Sequence, residues 1–198
     1  MANLTTAKAI TFLDIETTHL DPAKSAILSI SIITDWNSGS QDVYTTKIKP
    51  REIEMQFASK EALEVCGYSE EEWSDAPSFE DVAETIVKKL KFGPLVAHNI
   101  QFDISHIKSN LLRRGWEEYQ PGEKYGSGNK KISFGYPLID TCALAYIFVP
   151  TERQNLNVLR EHFNLTEEGA HTAQKDTEDC REIFYKIIND TIGKIKNV

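Results

Sequence analysis

The 198 residues predict an α/β fold, a mixed five-stranded sheet with helices on both faces. Three observations lead to it. The first quarter carries three β-rich runs joined by short turn signals, the remainder alternates helical and strand-like segments, and the longer helical segments each carry an apolar stripe. Short turns join strands antiparallel, whereas strands returned by helices run parallel, so the two patterns together make the sheet mixed.

Residues 9–16, 26–34 and 42–48 read as strands rich in Ile, Val, Thr or Tyr, with Asp21-Pro22 and Asn37-Ser38-Gly39 as turns between them. Helices follow at 59–66, ended by Gly67, and at 78–90, where Ser78 and Asp81 suit a capping box. Residues 95–98 form a short buried strand. Asn99 then caps a helix that runs to about Arg114 and stops at Gly115. A further strand-to-helix passage begins near Leu138, and helices at 155–163 and from 172 to about 192 complete the order. Residues 117–136, with Gly122, Gly126, Gly128, Gly135, Tyr119, Tyr125 and several lysines, read as a flexible surface insertion or small hairpin, or else as a flap that stacks bases on its aromatics.

A chain of this length with 40% hydrophobic residues suits one domain spanning 1–198. Its strongest apolar stretch, near 26–33, falls short of the roughly 20 residues a membrane span needs, and residues 1–6 lack the charged and apolar regions of a secretory signal. Cys66, Cys142 and Cys180 are odd in number and lack a Cys-x-x-Cys, which suits a reducing, cytoplasmic setting, packing roles and no zinc. The net charge of -8 works against strong nonspecific grip on nucleic acid, so any such partner is expected to be held briefly at one end.

The chemistry lies in acids that interrupt core-like stripes. Ile10, Phe12, Asp14 and Glu16 share one face of the first strand, which passes from apolar to doubly acidic at its end. Asp103 heads a helical stripe continued by Ile107 and Leu111. Asp176 heads another with Cys180, Ile183, Phe184 and Ile187, while Glu178, Asp179, Arg181 and Glu182 supply its polar side. Taken singly, the strand pair reads equally as a solvated strand end, and each helical acid as a cap or dipole partner. Four buried carboxylates aimed at one spot require cations between them. Oxygen donors alone favour Mg²⁺, with Mn²⁺ as its substitute, and two such ions about 4 Å apart suit phosphodiester hydrolysis. His171, on the loop before the last helix and next to Gly169, fits as the proton acceptor.

At these residues the chain resembles the DEDD-type 3′→5′ exonucleases, in the histidine-bearing subgroup that includes the proofreading subunit of the bacterial replicative polymerase. Asp14-Ile15-Glu16-Thr17-Thr18, His98-Asn99-Ile100-Gln101-Phe102-Asp103 and His171-Thr172-Ala173-Gln174-Lys175-Asp176 match its three motifs, and the likeness runs from about Ile10 to Ile188. The resemblance implies a ribonuclease H-like fold, two divalent ions on Asp14, Glu16, Asp103 and Asp176, and release of nucleoside 5′-monophosphates. It implies that His171 takes the proton of the attacking water, that Thr17 and Thr18 lie near the terminal nucleotide, and that His98 and Asn99 lie in its binding region, Asn99 by the backbone. Leu20 would wedge against the terminal base, with packing beneath the loop as the alternative. Single-stranded DNA, or frayed 3′ ends of DNA, is the expected substrate and a polymerase or replisome the expected partner, although the chain ends soon after its last helix. An RNA-trimming exoribonuclease and a non-catalytic nucleic-acid-binding module are the rivals. Two positions depart from the family: His19 stands where Gly is common, placing a turn that favours positive φ in question, and an insertion follows Trp116.

Overall fold

The computed structural model describes residues 7–120, 122–123 and 130–196. Three strands open the chain, β1 (Ala9–Thr17), β2 (Ile27–Trp36) and β3 (Gln41–Lys47), and run as an antiparallel meander. Four helices follow, α1 (Glu52–Met55), α2 (Lys60–Val65), α3 (Glu70–Trp73) and α4 (Phe79–Lys89), the last opened by the expected Ser78–Asp81 capping box. Then come β4 (Leu95–Ala97), α5 (Ile100–Leu112), the two-residue strands β5 (Glu117–Glu118) and β6 (Lys131–Ile132), β7 (Leu138–Asp140), α6 (Thr141–Phe148), α7 (Leu156–His162) and α8 (Ala173–Lys196). The main sheet has the order β3-β2-β1-β4-β7, with β4 and β7 parallel to β1. This is the mixed five-stranded sheet expected of a ribonuclease H-like fold.

Each face of β1 builds its own core. Leu13 and Ile15 pack with Phe79, Ala83 and Ile86 of α4 and with Ile104, Ile107 and Leu111 of α5. Ile10 and Phe12 look the other way, onto Cys180 and Phe184 of α8. Register ties Ile33, Phe12, Val96 and Ile139 into one apolar row across four strands, and α8 lies along it. A bulge between Glu16 and Thr17 then turns the chain out of the ladder just beyond the acidic end of that face.

The structure corrects two expectations, adds two short helices and answers the question left at His19. Asn99 precedes α5 in a left-handed conformation, φ 68°, and its side chain makes no cap; instead its amide donates to Asp140 Oδ1 at 3.1 Å. The short helices α1 and α3 are added, because a single turn leaves little periodicity to read. The segment after Trp116 is not a hairpin where it is described: Glu117 and Glu118 pair parallel with Lys131 and Ile132. The expected base-stacking aromatic Tyr125, with Gly126 and Gly128, lies outside the described residues. Finally, His19 is absent from the non-glycine residues with positive φ, so its replacement of glycine needs no left-handed turn.

Candidate active site

β1 delivers Asp14 and Glu16 on the face toward α8, one and two strand periods beyond Phe12. α8 delivers Asp176 from its first turn, one helical turn before Cys180. Thr172 opens that turn, its hydroxyl accepting from the Lys175 amide at 3.3 Å. As a result, one carboxylate oxygen each from Asp14, Glu16 and Asp176 lies within 4.8 Å of the others. Asp103 is outside that group. It reaches the same region from α5, 2% exposed, and the amides of Ile15 and of Asp103 itself hydrogen-bond its carboxylate.

The electrostatics record the crowding. Burial raises the Asp14 pKa well above the carboxylate range, and the charges of Asp103, Asp176 and Glu16 add to it, while Arg160 opposes them. Burial also raises Asp103, against its two amide bonds and with Asp140 and Glu16 adding. Glu16 is pushed up to about 7, chiefly by burial. Such carboxylates are poorly stable as bare anions and well suited to a hard divalent cation, so the residues fit Mg²⁺ or Mn²⁺.

His171 sits on the loop before α8, exposed and at φ 65°, and its amide donates to Asp176 Oδ1 at 3.2 Å. The residue thus borders the cluster through its backbone and lies outside the core. Leu20 is 80% exposed, which rules out packing beneath the loop. Thr17 and Thr18 are buried and their hydroxyls serve the loop itself: Thr17 Oγ1 donates to the His19 carbonyl at 3.3 Å, and Thr18 Oγ1 accepts from the Ala26 amide at 2.9 Å. His98 is half-buried with Nδ1 3.0 Å from Thr141 Oγ1, and burial lowers its pKa. Asn99 is exposed beside it.

Two residues at the site escaped the sequence. Cys66, expected to pack, donates its thiol to Glu16 Oε2 at 3.2 Å, and burial beside Glu16 pushes the thiol pKa up to about 12. Arg160 contacts Asp176 Oδ1 at 2.5 Å and Asp179 Oδ2 at 2.7 Å. Asp179, assigned above to the polar side of its helix, is in fact buried. Its place three residues after Asp176, on the same side of α8, was the available signal, because a second buried acid there requires a cation.

The exonuclease family profile matches residues 11–184. A PolC-type DNA polymerase III of Caldanaerobacter subterraneus is 27% identical over 176 residues, which make up 88% of this chain and 11% of that polymerase. The chain thus spans only about a tenth of the PolC-type polymerases it matches. The DNA polymerase III epsilon subunit of Treponema pallidum is 26% identical over 183 residues, 91% of this chain and 76% of that subunit. Among solved structures, Escherichia coli exonuclease I in complex with a dA16 oligonucleotide aligns with a TM-score of 0.67 at 16% identity, covering 93% of this chain and 41% of that one. A 3′-exonuclease that recognises the histone mRNA stem-loop aligns with a TM-score of 0.68 at 12% identity, covering 94% and 65%. The family match takes in β1, α5 and the first turn of α8, the three elements that carry the acidic groups, and by it the chain belongs to the exonuclease family.

Proposed function

We propose that the chain is a metal-dependent 3′→5′ exonuclease that hydrolyses the terminal phosphodiester of single-stranded or frayed DNA and releases nucleoside 5′-monophosphates. The observation that carries this reading is the approach of Asp14, Glu16 and Asp176 to within 4.8 Å, with His171 tied by its amide to Asp176. Bound Mg²⁺ or Mn²⁺ ions, two in the full site, would supply an activated water and charge stabilisation for the leaving oxygen. Asp14, Glu16 and Asp176 hold them, and buried Asp103 completes the ligand set. His171, exposed on the loop before α8, accepts the proton of the attacking water. Leu20 presents an exposed apolar side chain to the terminal base, Asn99 and His98 border the backbone path, and Thr17 and Thr18 lie near the terminal nucleotide. A single domain spanning 1–198, an insertion at about 117–136 that tunes substrate choice, a cytoplasmic setting and a polymerase or replisome partner complete the reading. The likeness to the epsilon subunit supports that partner, and among the described residues no helix is long and apolar enough to cross a membrane.

The test uses matched DNA and RNA oligonucleotides labelled at the 5′ end. Stepwise shortening of DNA from the 3′ end in Mg²⁺ or Mn²⁺ is expected, with loss of about 10²-fold or more in Asp14→Asn and His171→Ala. Equal rates in both variants, or no shortening, would reject the reading, and preference for RNA would assign the chain to RNA trimming.

A further inference from the structure

An arginine stands fully buried against the carboxylate cluster. Arg160 is 0% exposed, and each guanidinium nitrogen meets an oxygen: Nε on Asp179 Oδ2 at 2.7 Å, Nη1 on Asn157 Oδ1 at 2.7 Å and Nη2 on Asp176 Oδ1 at 2.5 Å. Asp179 also receives Lys175 Nζ at 2.5 Å, so it has a second cation of its own. For Asp176 the described hydrogen bonds both fall on Oδ1, from Arg160 and from the His171 amide.

We propose that Arg160 is a positioning residue that sets the cation affinity of the site: it pins Asp176 through Oδ1 and keeps a fixed positive charge one carboxylate away from the divalent ion. The proposal rests on the metal-dependent reading above. A guanidinium stays protonated at any working pH, and a buried charge is poorly screened by salt. Two effects compete. Pinning saves the rotor entropy of one short side chain, whereas repulsion acts on a doubly charged ion in surroundings of low dielectric, so repulsion dominates. The ion is consequently held loosely by the protein alone, and the negative phosphate of an arriving strand completes its binding.

The experiment measures Mn²⁺ uptake by electron paramagnetic resonance on metal-free protein without nucleic acid, and separately the Mg²⁺ concentration that half-saturates cleavage. The variants are Arg160→Gln, which removes the charge while Lys175 still pairs Asp179, Arg160→Lys, which keeps the charge, and Asp14→Asn. Arg160→Gln is expected to bind Mn²⁺ at least about fivefold more tightly and to need correspondingly less Mg²⁺, with Arg160→Lys within about twofold of the parent. Unchanged or weaker Mn²⁺ binding in an Arg160→Gln variant that still unfolds cooperatively overturns the proposal. If Arg160→Gln does not fold, Arg160→Met against Arg160→Lys decides in the same way. Absence of Mn²⁺ uptake by the parent, or uptake undiminished in Asp14→Asn, removes the metal site itself, a failure distinct from that of Arg160.

Discussion

Glu16 shows what it costs to gather acids without their cation. Its folded-state pKa, about 7, lies above the ordinary 4.5, so the folded, metal-free protein keeps a proton that the unfolded chain releases. Between those values the folded state binds more protons, and stability is lost as pH rises through the window, by on the order of 3 kcal/mol for this group. Asp14 and Asp103 shift in the same direction. Metal-free protein should therefore melt at a lower temperature at pH 8 than at pH 5.5, and Mg²⁺ should raise the melting temperature more at pH 8. A melting temperature that climbs between those pH values and ignores Mg²⁺ would contradict this. The three clustered acids were legible because strand alternation and helical spacing state which way a side chain points. Arg160 and Cys66 were not, since the partner that buries a charged or thiol group is distant in sequence and leaves no periodic mark. Asp103 was legible as a buried acid, though the 4.8 Å group excludes it.

At the scale of elements, the strands and long helices were readable within a residue or two, because each carries its own period and most carry a cap, except that α8 runs about four residues past its expected end. α3 was not, since its turn is held by docking: Trp73 is buried and its Nε1 donates to the Leu28 carbonyl at 2.8 Å. Gly93 also gave no periodic signal, yet it controls how β4 enters the sheet. It has φ 63°, and a Cβ there would sit 2.0 Å from the Ala9 carbonyl oxygen, on backbone that cannot swing aside. Gly93→Ala should lower unfolding free energy by at least about 2 kcal/mol in urea denaturation. Gly39 has φ 88° with open space around it, so Gly39→Ala should cost only about 1 kcal/mol. Equal losses at the two positions would show that the close approach to Ala9 contributes nothing.

For the whole molecule, the site is a product of how α8 lies on the sheet. Phe12, 0% exposed, meets Phe184 edge-on at 5.5 Å and Tyr185 at 5.7 Å, while Asp35 at the far end of β2 accepts from Arg181 at 2.6 Å and from Tyr185 at 2.9 Å. These contacts set the slide of α8 and thereby the distance from Asp14 to Asp176. Phe12→Ala should cost about 3–5 kcal/mol in stability and also weaken Mn²⁺ uptake, although no ligand is touched; full metal affinity in that variant would separate the core from the site. Because two of the clustered acids come from β1 and the third from α8, a nascent chain halted on the ribosome before α8 emerges would lack the third one. On the proposed reading, metal binding would therefore begin only when α8 has left the exit tunnel and settled on the sheet.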